Sequence, residues 1–337
     1  RTIGIDIDPL ACFISRKELE DCELDQLEKI YSKLYSNVGT KIKELYTTEV
    51  NGERYQIVNV FWVYVVRCDN CGTQFETHPH YKLYYSEKKQ IVFCSNCGEI
   101  EELDTSEEEF SCHYCNFVTK VNIGTYNKGY CNCPKCSSKF KLSGKLNGTK
   151  SMKMFAIEYE KEKERFFKKA DDKDKAYYES IVTEFRQKNN FEHIPQTLIP
   201  TTKKRDNRPM IHGYHYYKDL FNERQLLSLQ LLLKEISKIP NRSLKEWLLI
   251  CFSDSLASNN MLCNYAYGYR KLTPLFGIHA YTVPVRPVEN NVWGSGTYGR
   301  GTFEKIFSKL IKAKKYCREV YEINYAQNGA PQKIYTG

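Results

Sequence analysis

Most of the chain carries apolar residues at a helical rhythm, interrupted by one long apolar run. From Ala11 to Tyr46, Phe13, Leu19, Leu24, Leu27, Ile30, Leu34 and Ile42 recur at roughly helical spacing among lysines and glutamates, the pattern of helices with one buried face. Asn51-Gly52 is a turn signal, and the run from Tyr55 to Val66 after it reads as a strand. Tyr159 to Asn190 is charged and amphipathic, which predicts two helices broken near Asp171-Asp172. A strong helix is expected through Leu226, Leu229, Leu232, Leu233 and Ile236 to a break at Pro240, and another from Leu244 to about Tyr265. A last helix spans Phe303 to about Tyr316 with a lysine-rich face. At the other end, Arg1 to Ala11 reads as a short strand buried on both faces, ending in acid and turning into a helix.

Between Phe61 and Phe140 the periodicity gives way to four Cys-x-x-Cys pairs: Cys68/Cys71, Cys94/Cys97, Cys112/Cys115 and Cys133/Cys136. Two residues between cysteines let one tight turn present both thiolates to one ion, and zinc takes four such ligands, so eight thiols supply two tetrahedral sites. Apolar runs such as Ile91-Val92-Phe93 lead into the pairs as strands, and Asp, Asn, Gly and Pro occupy the turns. The sequential scheme joins the first two pairs and the last two; nested and interleaved schemes fit the spacing as well. Cys131, His78, His80 and His113 lie nearby and are read as bystanders. Four pairs in series do not resemble a redox pair, and nothing resembles a signal peptide that would favour disulfides, so a reducing cytoplasm is expected. Closed four-cysteine sites leave no position for a catalytic water. The function must therefore lie in what the ribbons grip or in what flanks them.

Composition changes this picture only modestly. With 337 residues the chain has room for two or three domains, and it contains no apolar run long enough to span a membrane. A formal charge of +9 favours a polyanionic partner, and 26 tyrosines suit base stacking as well as core packing. Lys139 to Lys153, with Lys139, Lys141, Lys145, Lys150 and Lys153, could follow a phosphate backbone. Lys203-Lys204-Arg205 is a second basic cluster in a proline-containing connection.

The opening Gly4-Ile5-Asp6-Ile7-Asp8-Pro9 resembles the second motif of S-adenosylmethionine-dependent DNA methyltransferases of the amino-methylating kind. Asp219-Leu220-Phe221-x-x-Arg224-Gln225-Leu226-Leu227 and Glu289-Asn290-Asn291-Val292-Trp293-Gly294 followed by Gly301-Thr302-Phe303 resemble segments of the zinc-ribbon-containing adenine-specific DNA methylases. That family places its cysteine knuckles between the first of these landmarks and the other two. The resemblance implies that Asp6 binds the cofactor ribose, with Asp8 and Pro9 shaping the turn. It also implies double-stranded DNA as partner and the zinc ribbons as the reader of the target. The family's glycine-rich first motif is expected upstream of Arg1. Its Pro-Pro-aromatic catalytic motif occurs nowhere here, so no catalytic residue is carried over and the chain reads as an interior piece. Gly294-Ser295-Gly296-Thr297 does not serve as the cofactor loop, because Pro287-Val288-Glu289-Asn290-Asn291 before it is a poor central strand.

The expected fold is α+β: part of a Rossmann-like methyltransferase sheet, an inserted two-zinc ribbon domain and a mostly helical C-terminal half. The parts are 1–20 in the cofactor domain, 21–55 a helical connection, 56–145 the double zinc ribbon, 146–210 charged helices and linker, and 211–337 a helical region leading to the catalytic motif. The expected function is a share in methyl transfer from S-adenosylmethionine to the exocyclic amino group of adenine, or less readily of cytosine. The alternatives are a non-enzymatic zinc-ribbon nucleic-acid-binding protein and a subunit of a split methyltransferase whose partner chain supplies the missing motifs.

Overall fold

The computed structural model describes residues 3–188, 192–200, 207–277, 281–325, 329 and 331–336, so the Lys203-Lys204-Arg205 cluster lies outside the described residues. Helix α1 (Pro9–Leu19) starts where Asp8 accepts the Leu10 amide and Pro9 fills the first turn. α2 (Leu24–Leu34) runs through a π-helical turn, Tyr35–Gly39, into α3 (Thr40–Leu45). The missing side chain of Gly39 admits the indole of Trp293, whose ring would lie 2.8 Å from a Cβ placed there.

Strand β1 (Thr47–Val50) pairs with β2 (Glu53–Arg67) across Asn51-Gly52. Those two residues have φ of 52° and 84°, the left-handed pair that a two-residue hairpin needs. β2 is the axis of the molecule: β1, β3 (Gln74–Glu76), β12 (Met152–Lys161) and β16 (Val288–Asn290) all pair with it. Its centre is buried on both faces, which is why its sequence is an unbroken apolar run and does not alternate.

The ribbon region follows. β3 (Gln74–Glu76) folds back on the end of β2; β4 (Lys82–Tyr85), β5 (Lys89–Phe93) and β6 (Ile100–Asp104) form a three-stranded sheet. β7 (Glu109–Ser111) and β8 (Val118–Lys120) form a hairpin, and β9 (Tyr126–Asn127), β10 (Tyr130–Asn132) and β11 (Lys139–Lys141) a further small sheet. The chain then returns as β12 (Met152–Lys161), antiparallel to β2, and turns into β13 (Glu164–Lys169). The whole double ribbon is thus an excursion between two neighbouring strands of one sheet.

The first of the two helices expected in Tyr159–Asn190 is therefore a strand hairpin. Glu162 and Lys163, read as a solvated helix face, take left-handed φ of 52° and 64° and make its turn. Ile157 and Tyr159 are buried against β2, and this pairing outweighs the helical propensity of the charged residues. The second helix is real: α4 (Asp172–Lys188) starts close to the expected break.

After the short α5 (Arg208–Ile211), α6 (Glu223–Ser237) opens on a reciprocal cap in which the Gln225 amide donates to Asn222 and the Asn222 amide to Gln225. α7 (Arg242–Leu256) stops well short of Tyr265, because Asn259 and Asn260 donate to the carbonyls of Ser255 and Leu256 and end the helix. β14 (Asn264–Ala266) and β15 (Lys271–Thr273) make a hairpin. β16 (Val288–Asn290) is a fully buried strand on β2, where the sequence predicted a poor one. α8 (Phe303–Arg318) and the exposed hairpin of β17 (Tyr321–Tyr325) and β18 (Pro331–Tyr335) close the chain.

The sheet β1-β2-β12-β13 carries the helices on one side, around Leu27, Ile42, Trp247, Leu248 and Trp293, and the ribbon aromatics Phe61, Tyr81, Phe93 and Phe155 on the other. The architecture is mixed α+β with inserted ribbons. All strand pairings among the described residues are antiparallel, so no parallel Rossmann-like sheet is built by them. Ile3, Ile5 and Ile7, expected in a buried strand, belong to no strand and are 78, 94 and 101 % exposed.

Candidate metal centres

Each of the four knuckles is built the same way. The amide of the first cysteine donates to the carbonyl five residues on: Cys68 to Thr73, Cys94 to Glu99, Cys112 to Phe117 and Cys133 to Ser138. The residue after the second cysteine donates back to the first, from Gly72, Gly98, Asn116 and Ser137 in turn. All four of these take a left-handed φ, which Gly and Asn reach readily and Ser137 only because the loop is tied at both ends. The first cysteine of every pair is buried and the second half-buried.

The knuckles associate in a nested arrangement. Cys68, Cys71, Cys133 and Cys136 form one cluster and Cys94, Cys97, Cys112 and Cys115 the other, with the ligand atoms of each within 4.8 Å of one another. The sequential scheme is thereby replaced. β2 delivers the first knuckle beside the β10–β11 hairpin that carries the last, and the inner ribbon is spliced between them. Sγ atoms of Cys68 and Cys136, Cys71 and Cys133, Cys94 and Cys115, and Cys97 and Cys112 are each 3.6 Å apart. A tetrahedron with metal–sulfur bonds of about 2.3 Å has edges of about 3.8 Å, whereas a disulfide needs about 2.05 Å. The donor set and its spacing fit a structural zinc ion at each cluster.

Polar neighbours prepare the sulfurs for the thiolate state. Ser138 Oγ lies 3.0 Å from Cys68 Sγ and 3.2 Å from Cys136 Sγ, and Asn96 Nδ2 donates to Cys115 Sγ at 3.6 Å. Hydrogen bonding, led by Ser138, holds Cys136 down at about 5, and the Phe117 amide with Asn96 holds Cys115 at about 6. Burial pushes Cys133 up to about 11 and Cys112 up to about 12. A bound dication would draw all four thiols of a cluster into the anionic form. These hydroxyl and amide donors were missed in the sequence; their signal is a Ser, Thr or Asn within or just after a Cys-x-x-Cys.

Cys131, His78, His80 and His113 ligate neither cluster. Cys131 is buried in the outer ribbon's core, His78 bonds Glu76, His80 meets Arg286 and His113 bonds Glu101. Asp6, Asp8 and Pro9 lie far along the chain from the ribbons. Asp6 Oδ1 accepts the Asp8 amide at 2.8 Å, and both acids stand exposed at the start of α1. The other end of α1 is fixed: Lys314 Nζ donates to the carbonyls of Lys17, Glu18 and Glu20, neutralising the helix C-terminus. The ammonium groups of Lys17 and Lys314 both lie over the Trp247 ring, at 4.8 and 4.4 Å.

No protein-family model, curated protein or solved structure matches the chain. Among the described residues no helix is long and apolar enough to cross a membrane.

Proposed function

We propose that the chain is the zinc-ribbon, target-reading part of an S-adenosylmethionine-dependent DNA amino-methyltransferase, acting on adenine N6 in preference to cytosine N4. The observation that carries this reading is the segment Ile3–Pro9: a run with alternating, exposed isoleucines that pairs with no strand and leads through Asp6 into an Asp8-capped helix. Three exposed isoleucines at period two are the sequence of a sheet strand in want of neighbours. Joined to the rest of a cofactor-binding sheet, this segment would set Asp6 at the strand end where a ribose is held, and Asp8 with Pro9 would shape the turn behind it. The glycine-rich loop and the Pro-Pro-aromatic motif would come from a further segment or a partner chain.

The two zinc ions would rigidify the reader, and the lysines of the outer ribbon would meet DNA phosphates. Tyr130, with the Lys139 ammonium 4.9 Å over its ring, and the exposed Tyr114 and Phe117 also suit the second reading, a zinc-ribbon nucleic-acid-binding protein without catalysis.

The test is methyl transfer by the whole gene product from tritiated S-adenosylmethionine to duplex DNA, with its reading frame sequenced on both sides of these residues. The expected result is label in N6-methyladenine, with cofactor affinity lowered about tenfold or more by Asp6→Ala. A gene product that lacks the catalytic motif, transfers no label alone or with a neighbouring gene's product, yet binds DNA, would establish the second reading instead.

A further inference from the structure

Between the two cysteine clusters and the sheet lies a cavity of about 450 Å³, and Cys94 and Cys97 of the inner cluster form part of its wall. Its size is in the range of small-molecule sites. The floor is aromatic: His78, Phe93 and Phe155 pack edge to face or tilted, with ring centroids 4.8 to 5.1 Å apart, and Tyr81 abuts Phe93. Burial depresses the His78 pKa below its ordinary value, and the ring packs edge-on into the floor. The rim is cationic. Lys153 on β12, Lys169 on β13 and Lys175 on α4 line it, against the single carboxylate of Glu76.

One wall is an aromatic ring without an aromatic partner. Phe117, in the second knuckle of the inner ribbon, lines the cavity and is 48 % exposed, and among the described residues it stacks on no other ring. A large apolar ring left open in a cavity lined by three lysines is a poor core residue and a good platform for a flat heterocycle.

We propose that this cavity takes a single nucleotide, its base stacked on Phe117 and its phosphate held by Lys153, Lys169 and Lys175. The lysines are engaged at present by Glu76 at 2.7 Å, Glu99 at 3.1 Å and Asp172 at 3.1 Å. The Lys169–Glu99 and Lys175–Asp172 pairs are open to solvent and weak, so a phosphate dianion can displace them. The Glu76 carboxylate is half-buried and shared with His78, and Lys153 keeps its remaining N–H donors for the phosphate. The nucleotide is either free in solution or an unstacked residue of a DNA strand, since both present the same base and phosphate. The site is assembled from both ribbons, with Ser95 to Gly98 from the inner and Pro134 from the outer, so an occupant would brace them against each other. The inference stands apart from methyl transfer and holds equally for a reader without catalysis.

The test is calorimetric titration of the zinc-loaded chain with dAMP, deoxyadenosine, inorganic phosphate and a short single-stranded oligonucleotide. Saturable binding of dAMP or of the oligonucleotide, with deoxyadenosine and phosphate each about tenfold weaker or worse, is expected. Tighter binding of the oligonucleotide identifies a strand as the source, and tighter binding of dAMP a free nucleotide. Phe117→Ala and Lys169→Gln should each weaken binding about tenfold while zinc content and circular dichroism stay unchanged. Lys175→Gln, on α4 and half-buried at the cavity rim, serves as the second lysine variant if Lys169→Gln misfolds. Absence of saturable binding by either nucleotide ligand, or affinities untouched in the folded variants, would overturn the proposal.

Discussion

Arg224 and Glu289 meet in a two-pronged ion pair at the centre of the helical face, with Nε–Oε1 and Nη2–Oε2 both 2.7 Å. Arg224 stands on α6 and Glu289 on β16, and both are essentially inaccessible to solvent. The Trp62 indole donates to the same carboxylate at 2.9 Å, while Tyr46 and Tyr178 cover the guanidinium at 4.7 and 5.1 Å. Burial works against the arginine charge, but Glu289 more than offsets it and raises the Arg224 pKa above its ordinary value. Two segments singled out in the sequence for one family resemblance are thus in direct contact. The pair locks α6 to the central strand β2 through β16.

Breaking this pair should be costly, and removing it whole should not. Arg224→Met or Glu289→Met leaves one buried polar partner uncompensated and should lower stability by about 3 to 5 kcal/mol. The double variant Arg224→Met with Glu289→Met should recover most of that loss, because both desolvation penalties vanish together. Urea unfolding of the four proteins measures the coupling; strictly additive losses would show that the two side chains act independently.

The nesting makes the two four-cysteine centres unequal. Cys94→Ser removes a ligand whose partners all lie between Cys94 and Cys115, so the outer cluster should keep its ion. Elemental analysis should give about one zinc per chain for Cys94→Ser, and limited proteolysis should cut within the inner ribbon alone. Cys68→Ser opens the cluster that ties the two ends of the excursion, and cleavage should spread across both ribbons. Identical digestion patterns for the two variants would contradict the nesting.

Acid should destabilise the protein through His80. Burial, followed by the nearby Arg286 charge, lowers its pKa to about 3 from an ordinary 6.5, with Lys82 and His78 adding to the effect. Between those values the unfolded chain binds a proton that the folded chain refuses. Stability is therefore fully present above pH 6.5 and declines as pH falls toward 3, by up to about 1.4 kcal/mol per unit. His80→Asn keeps an acceptor for the Lys82 amide without the titration. Its unfolding free energy should fall less steeply than the parent's between pH 6.5 and 5.5, and parallel curves would exclude His80 as the source.

Much of this protein was legible in its residues. The four knuckles, the β1–β2 turn at Asn51-Gly52, the strand after it and the helices near Glu223, Arg242 and Phe303 depend on local spacing, and local spacing is what a sequence displays. The partners of the knuckles were not legible, since any pairing of four similar turns satisfies zinc. The return of β12 beside β2 decided it, by bringing the last knuckle to the first. The hairpin at Glu162-Lys163 and the buried strand Val288–Asn290 were hidden for a related reason. Their charged and amide side chains look solvated until distant partners satisfy them, as Arg224 does Glu289, Arg300 O does Asn290 and Ile57 O does Asn291. The sequence by itself determined which cysteines form metal-ligand knuckles and where the chain turns, because those depend on neighbours in the chain. Only the tertiary structure decided which polar groups are buried and which knuckles come together in one cluster, because those depend on contacts between residues far apart in the chain.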